Sequence, residues 1–133
     1  MPFTNEDRNV ITDLISMHGH LTDRGELDRL SEVFSDDVIY DVSDLGRPAI
    51  GGLDSLIAAA VALGDNNPIA HHVTNVVVSQ VDEDHATALS KGLGINADGT
   101  IGSVTYEDLL ERTDLGWRIT HRSVRLRRSP LQP

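Results

Sequence analysis

The side chains in this sequence that are able to do polar chemistry are few and unevenly placed. Two adjacent histidines, His71 and His72, open the apolar, β-branched run "PIAHHVTNVVV" at residues 68–78. His18 and His20 sit late in an amphipathic segment, and Asp23 follows in "HLTDRG". Metal ligation fits this pattern poorly. Neighbours on a strand point to opposite faces, so His71 and His72 reach one ion only across a bulge. Residues two apart on a helix do not share a face either. There is no H-E-x-x-H and no compact acidic loop, so no metal site is expected. "GLGINA", Gly92 to Ala97, has the loose form G-x-G-x-x-A. That fingerprint binds a dinucleotide only as a strand-to-helix turn, whereas here a D-G turn and another strand follow. These glycines read as strand positions that bend or pack closely, and no cofactor is expected. Without cysteine or a G-x-S-x-G motif, nucleophilic catalysis also lacks its signals. Cofactor-free acid–base chemistry remains, with His18, Asp23 and His71 as candidates. Each also has a plain structural role: a core histidine, a helix cap or turn residue, and a half-buried strand end. Their chemical value depends on whether the fold brings them together.

The elements that must do so are legible as patterns. Thr4 and Asp7 resemble a capping box, and Val10, Ile11, Leu14, Ile15, His18 and Leu21 recur at helical spacing, which predicts a helix over about 5–20. "DRGELDRLSEVF" reads as a second helix, "VIYDV" as a short strand, and "GLDSLIAAAVALG" as a third helix stopped by Gly64, Asn66, Asn67 and Pro68. The second half changes character. "AHHVTNVVVSQV", "HATALSKGLGI", "TIGSVTYEDLLER" and "GWRITHRSVRLR" are strand-like and separated by the turn-prone "DED", "NADG" and "TDLG". "YEDLLER" has helical propensity, but its place between two hairpin turns favours a strand. Three helices followed by an antiparallel meander make an α+β domain, with helices on one face of a curved, mostly antiparallel sheet.

Composition narrows the function. The 133 residues suit a single domain spanning 1–133, and the acidic N-terminus does not look like a signal peptide. No apolar run approaches the roughly 20 residues that span a bilayer. The absence of cysteine suits a reducing, cytoplasmic location. A net charge of −10 argues against nucleic acid as a partner. One basic stretch stands out, "RITHRSVRLRR", with Arg118, Arg122, Arg125, Arg127 and Arg128. It reads either as a solvated strand paired with acidic neighbours or as a strand with one arginine pointing into a site.

The order of elements, together with "LTDRGELDRLSEVFSDDVIYDV", "HHVTNVVVSQVDEDHATA" and "YEDLLERTDLGWRITHR", resembles the nuclear transport factor 2-like superfamily and its SnoaL-like branch over roughly residues 5–125. The resemblance implies a cone-shaped, barrel-like fold. The branch includes dehydratases, a dehydrochlorinase and polyketide cyclases. In several of them an aspartate after helix 1 orients a histidine base that opens the first long meander strand. Those positions match Asp23 and His71, the latter four residues before Asn75. His71, Val73, Asn75 and Val77 would then face the pocket, and His72, Thr74, Val76 and Val78 the other side, where a homodimer partner is expected. A bulge would make His72 the base instead. The resemblance further implies pocket roles for His18, Tyr106 and Arg122. Tyr40 lies on the first strand, close to a position where relatives place a pocket tyrosine, which here is Val42.

The function expected is thus a cofactor-independent lyase or isomerase, dehydratase-like, acting on a small, mostly apolar cyclic molecule such as a polyketide or steroid. The alternative is a non-catalytic ligand-binding or dimerisation module of the same fold.

Overall fold

In the computed structural model, which describes residues 1–133, helix α1 spans Asn5–Asp23 and starts at the capping box. The Thr4 hydroxyl accepts from the Asp7 N–H at 3.2 Å, and the Asp7 carboxylate accepts from the Thr4 N–H at 2.7 Å. Asp7 also accepts from the Trp117 indole at 3.0 Å and from Arg112 at 3.0 Å, so one carboxylate ties the helix start to the far end of the sheet. The Trp117 and Thr4 hydrogen bonds, with Arg112, hold its carboxyl far below the usual range. Asp7→Ala removes a cap and charge-assisted hydrogen bonds, and is expected to cost about 2–4 kcal/mol in urea unfolding. The stability Asp7 contributes is present above the unfolded carboxylate value of 3.8 and is lost as pH falls toward the depressed folded value. The variant should therefore lose less stability than the wild type on acidification below that value.

The expected second helix is a correction. After Gly25, at φ +70°, Leu27–Glu32 forms a 3-10 helix rather than an α-helix. Helix α1 runs on to Asp23, the chain turns at Gly25, and the next strand starts at Phe34, so only about two helical turns fit between them. Leu27, Leu30 and Val33 recur every third residue, the spacing that a 3-10 helix aligns on one side. The second α-helix, α2, spans Leu53–Leu63, and Asn67 caps its end by donating to the Ala60 and Gly64 carbonyls.

Six strands follow the order β2-β1-β6-β5-β4-β3: β1 Phe34–Asp41, β2 Ile50–Gly51, β3 Ala70–Gln80, β4 His85–Ile95, β5 Ile101–Thr113 and β6 Gly116–Leu126. Only β1 and β6 pair in parallel. The sheet is open, with β2 and β3 as its edges, so the expected barrel-like closure is not formed. Helix α1 nevertheless packs on both β3 and β6, strands separated by two others, which requires the sheet to curve around it. Ile11, Ile15 and Leu21 of α1 meet Val38, Leu110, Trp117 and Ile119 in the core beneath that curve. No helix is long and apolar enough to cross a membrane.

A bulge in β3 alters the expected faces. The pairing with β4 slips between Thr74 and Val77, and Asn75 takes the left-handed region at φ 56°. Past this extra residue the alternation inverts. His71 and Val73 face inward, followed by Val76 and Val78, which pack against the core. Asn75 and Val77 are exposed, as are His72 and Thr74. Asn75 therefore leaves the pocket side, and Val76 and Val78 leave the outer face.

Candidate active site

Helix α1 lies unusually close to the start of β3. A Cβ on Gly19 would sit 2.5 Å from the His71 carbonyl oxygen, so glycine is what allows this approach. One turn later Asp23 reaches the same residue twice. Its Oδ2 accepts from the His71 backbone N–H at 3.0 Å, and its Oδ1 lies 2.7 Å from His71 Nδ1. A carboxylate only accepts, so the Nδ1 proton points at Asp23 and the Nε2 lone pair is left free. The two side chains are 19% and 26% exposed, which makes the carboxylate half-exposed rather than buried.

His71 lines a cavity of about 840 Å³, while Asp23 stands behind it outside the lining. That volume falls within the range of small-molecule sites. The cavity lies between the sheet and α2, whose Leu56, Ala59, Ala60 and Leu63 face it without filling it. Gly92, Gly94 and Gly102 line it from β4 and β5. At Gly92 the missing side chain has a clear role, because a Cβ there would lie 2.5 Å from the Tyr106 ring.

His18 and Tyr106 form the inner wall beside His71, with ring centroids 6.2 Å (His18–His71) and 6.0 Å (His18–Tyr106) apart. Tyr40 also lines the cavity. Burial pushes the Tyr40 and Tyr106 phenols up, so both remain protonated hydrogen-bond donors. Burial, the Arg122 charge and His71 hold His18 well below its ordinary value, so it stays neutral.

Arg122 is fully buried and forms a bidentate pair with Asp108, at 2.7 and 2.9 Å. Its guanidinium lies 4.1 Å from the Tyr106 ring centroid and also faces Phe34 and Tyr40. Burial opposes its charge, but the Asp108 carboxylate more than offsets this and holds the guanidinium above its usual range. Arg122 does not line the cavity, so the expected direct contact with a bound molecule is corrected: Tyr106 and His18 stand in front of it. The other arginines of the basic stretch stay toward the surface, where Arg118 donates to the Ser31 carbonyl, Arg125 faces Glu107 and Arg128 pairs with Asp44. The stretch is thus a largely surface strand with one arginine turned into the core, behind the cavity wall rather than into the cavity.

His72 points to the outer face, opposite Leu93 of β4, and is corrected as an alternate base along with Asn75 as a pocket residue. Asp108, Phe34 and Gly19 are site-supporting residues that sequence reasoning passed over. Asp108 carried a readable signal: in "YEDLL" it alternates with Tyr106 and Leu110 on the inward face, where an acidic residue requires a partner. No group of three or more His, Asp or Glu side chains is arranged to hold a metal ion.

A SnoaL-like domain family model matches residues 4–123. No curated protein matches the chain in sequence. Among solved structures it is similar to a nuclear transport factor 2-like protein with a cystatin-like fold from Novosphingobium aromaticivorans, at 30% identity and TM-score 0.78, covering 95% of this chain and 85% of that one. A proposed aromatic ring hydroxylase from the same species aligns at 25% identity and TM-score 0.78, over 98% and 93% of the two chains. The hexachlorocyclohexane dehydrochlorinase LinA-type3 from Novosphingobium barchaimii shares the fold, at 20% identity and TM-score 0.77 over 94% and 92%. With nearly its whole length matched by the family model, this chain belongs to the SnoaL-like domain family.

Proposed function

We propose that this protein is a cofactor-independent lyase or isomerase in which Asp23 and His71 act as an acid–base dyad. The observation that carries this reading is the 2.7 Å Asp23–His71 contact, with the imidazole turned to a largely apolar cavity of about 840 Å³. His71 Nε2 takes a proton from a ligand carbon. The C–H electron pair becomes a double bond, and an adjacent hydroxyl or halide leaves with its own bonding pair. Asp23 fixes the ring and stabilises the imidazolium that forms. The likeness of fold to a dehydrochlorinase is compatible with this class of elimination.

The test is a turnover screen on cyclic alcohols, cyclic halides and β-hydroxyketones, comparing the wild type with His71→Ala. Elimination that falls ~10²–10⁴-fold in the variant supports the dyad. Ligand binding without turnover, with affinity only modestly changed by His71→Ala, supports a binding module instead.

We further propose that the outer sheet face docks a second copy of this chain. Val77, Leu89 and Leu109 are 59%, 50% and 51% exposed there. Val77 lies directly across from Leu89, and Leu109 pairs with Thr87, two residues from Leu89 on the same face. Light scattering should report a dimer that Leu89→Asp converts to monomer. A wild-type monomer at micromolar concentration would contradict it.

A further inference from the structure

Arginine carries only N–H donors. The 3.2 Å contact between Arg122 Nη1 and His18 Nδ1 therefore makes Nδ1 an acceptor. A neutral His18 that accepts at Nδ1 holds its single proton on Nε2. That nitrogen has no protein partner, yet it is not among the buried polar atoms left unbonded, so it opens onto the cavity that the ring lines. Asp108 already neutralises Arg122 and holds both its Nε and its Nη2 groups, which prevents the guanidinium from turning toward a ligand. The inner wall thus offers an oriented, uncharged N–H donor in place of a cation.

We propose that Arg122 is a positioning residue that sets His18 as an Nε2–H donor, and that this donor receives a ketone or enone carbonyl oxygen of the bound molecule. The chemistry selects that acceptor over others. A carboxylate would seek a free cation: Arg47 lines the cavity from the loop before β2, but the cation beside His18 is Arg122, already paired with Asp108. A carbon-bound halide accepts hydrogen bonds poorly. A ketone oxygen accepts well, and it gains negative charge when the carbon beside its carbonyl loses a proton. The His18 hydrogen bond then strengthens as the reaction proceeds. The His18 and His71 rings stand side by side on the cavity wall, 6.2 Å apart by centroid, so one O=C–C unit lying across them can set its oxygen at His18 and its acidic carbon at His71. The His71 end of this placement rests on the dyad reading. The His18 tautomer and the carbonyl preference do not.

Nitrogen-15 spectra of histidine-labelled protein test the first half. His18 should show a pyridine-type Nδ1 and a pyrrole-type Nε2 that persist from pH 5 to pH 8. A protonated Nδ1 anywhere in that range overturns the proposal. Replacing the ion pair together, Asp108→Leu with Arg122→Met, should release the tautomer preference.

The second half is tested with 1-tetralone and tetralin, which match in shape and differ in the carbonyl. His18→Phe should weaken 1-tetralone binding ~10-fold and leave tetralin within about twofold, and His18→Gln should recover part of the loss. Equal loss of both ligands, or no His18 shift up to the ketone's solubility limit, overturns the carbonyl assignment. Either result leaves elimination by the wild type and its loss in His71→Ala to be judged separately.

Discussion

Asp23→Asn is expected to reduce turnover by ~10²–10⁴-fold with little change in melting temperature. The carboxylate serves two donors of His71 at once, the backbone N–H through Oδ2 and the ring through Oδ1. An asparagine has one carbonyl oxygen and one NH2, so it can accept from only one of them without opposing donor to donor. If the oxygen stays with the backbone N–H, the amide NH2 faces Nδ1. The ring then shifts its proton to Nε2, and the lone pair turned to the cavity is lost. Asp23 closes α1 at a half-exposed position, so this exchange does not open the core. Kinetics on a substrate found in the screen, paired with a thermal melt, would check both parts. Unchanged turnover would mean that His71 works without an oriented tautomer. A collapsed melt would make Asp23 a structural residue first.

Asp108→Ala is expected to destabilise the protein by about 3–5 kcal/mol, because it leaves the buried Arg122 guanidinium without its counter-charge. Both side chains are fully buried, and the stacked Tyr106, Phe34 and Tyr40 rings stabilise the charge but cannot replace a carboxylate. Against a total stability of about 5–15 kcal/mol, this loss is large enough to leave a measurable unfolded fraction. Replacing the pair together, Asp108→Leu with Arg122→Met, should recover most of the stability, since a buried ion pair is often no better than packed apolar groups. Urea unfolding of the single and double variants separates the cases. A single variant within 1 kcal/mol of wild type would show that water reaches Arg122.

The fold and the site were legible to different degrees, for physical reasons. Strands β4, β5 and β6 could be read because alternating burial and D-G or L-G turns leave a period-two pattern, which overrode the helical propensity of "YEDLLER". The stretch at Leu27–Glu32 misled because its apolar spacing suits either an α-helix or a 3-10 helix, and only the length left between α1 and β1 decides. The bulge at Asn75 has no periodic signature, since one extra residue inverts the faces beyond it. Asp23 and His71 could be named from their resemblance to family positions. Their contact depends on Gly19, whose role appears only once a helix and a strand lie against each other. Chain order brings Arg122 to the site but does not aim its side chain, because its partner Asp108 lies on the neighbouring strand of a hairpin.

The central claim is that His71, oriented by Asp23, removes a proton from carbon. The most direct measurement is deuterium uptake at the carbon next to the carbonyl of 1-tetralone in D2O, followed by proton NMR. It requires neither a leaving group nor a known natural substrate. The wild type should accelerate exchange above buffer, and His71→Ala and Asp23→Asn should each lose ~10²–10⁴-fold of that acceleration. Exchange no faster than buffer in the wild type, or equally fast in His71→Ala, would contradict the account.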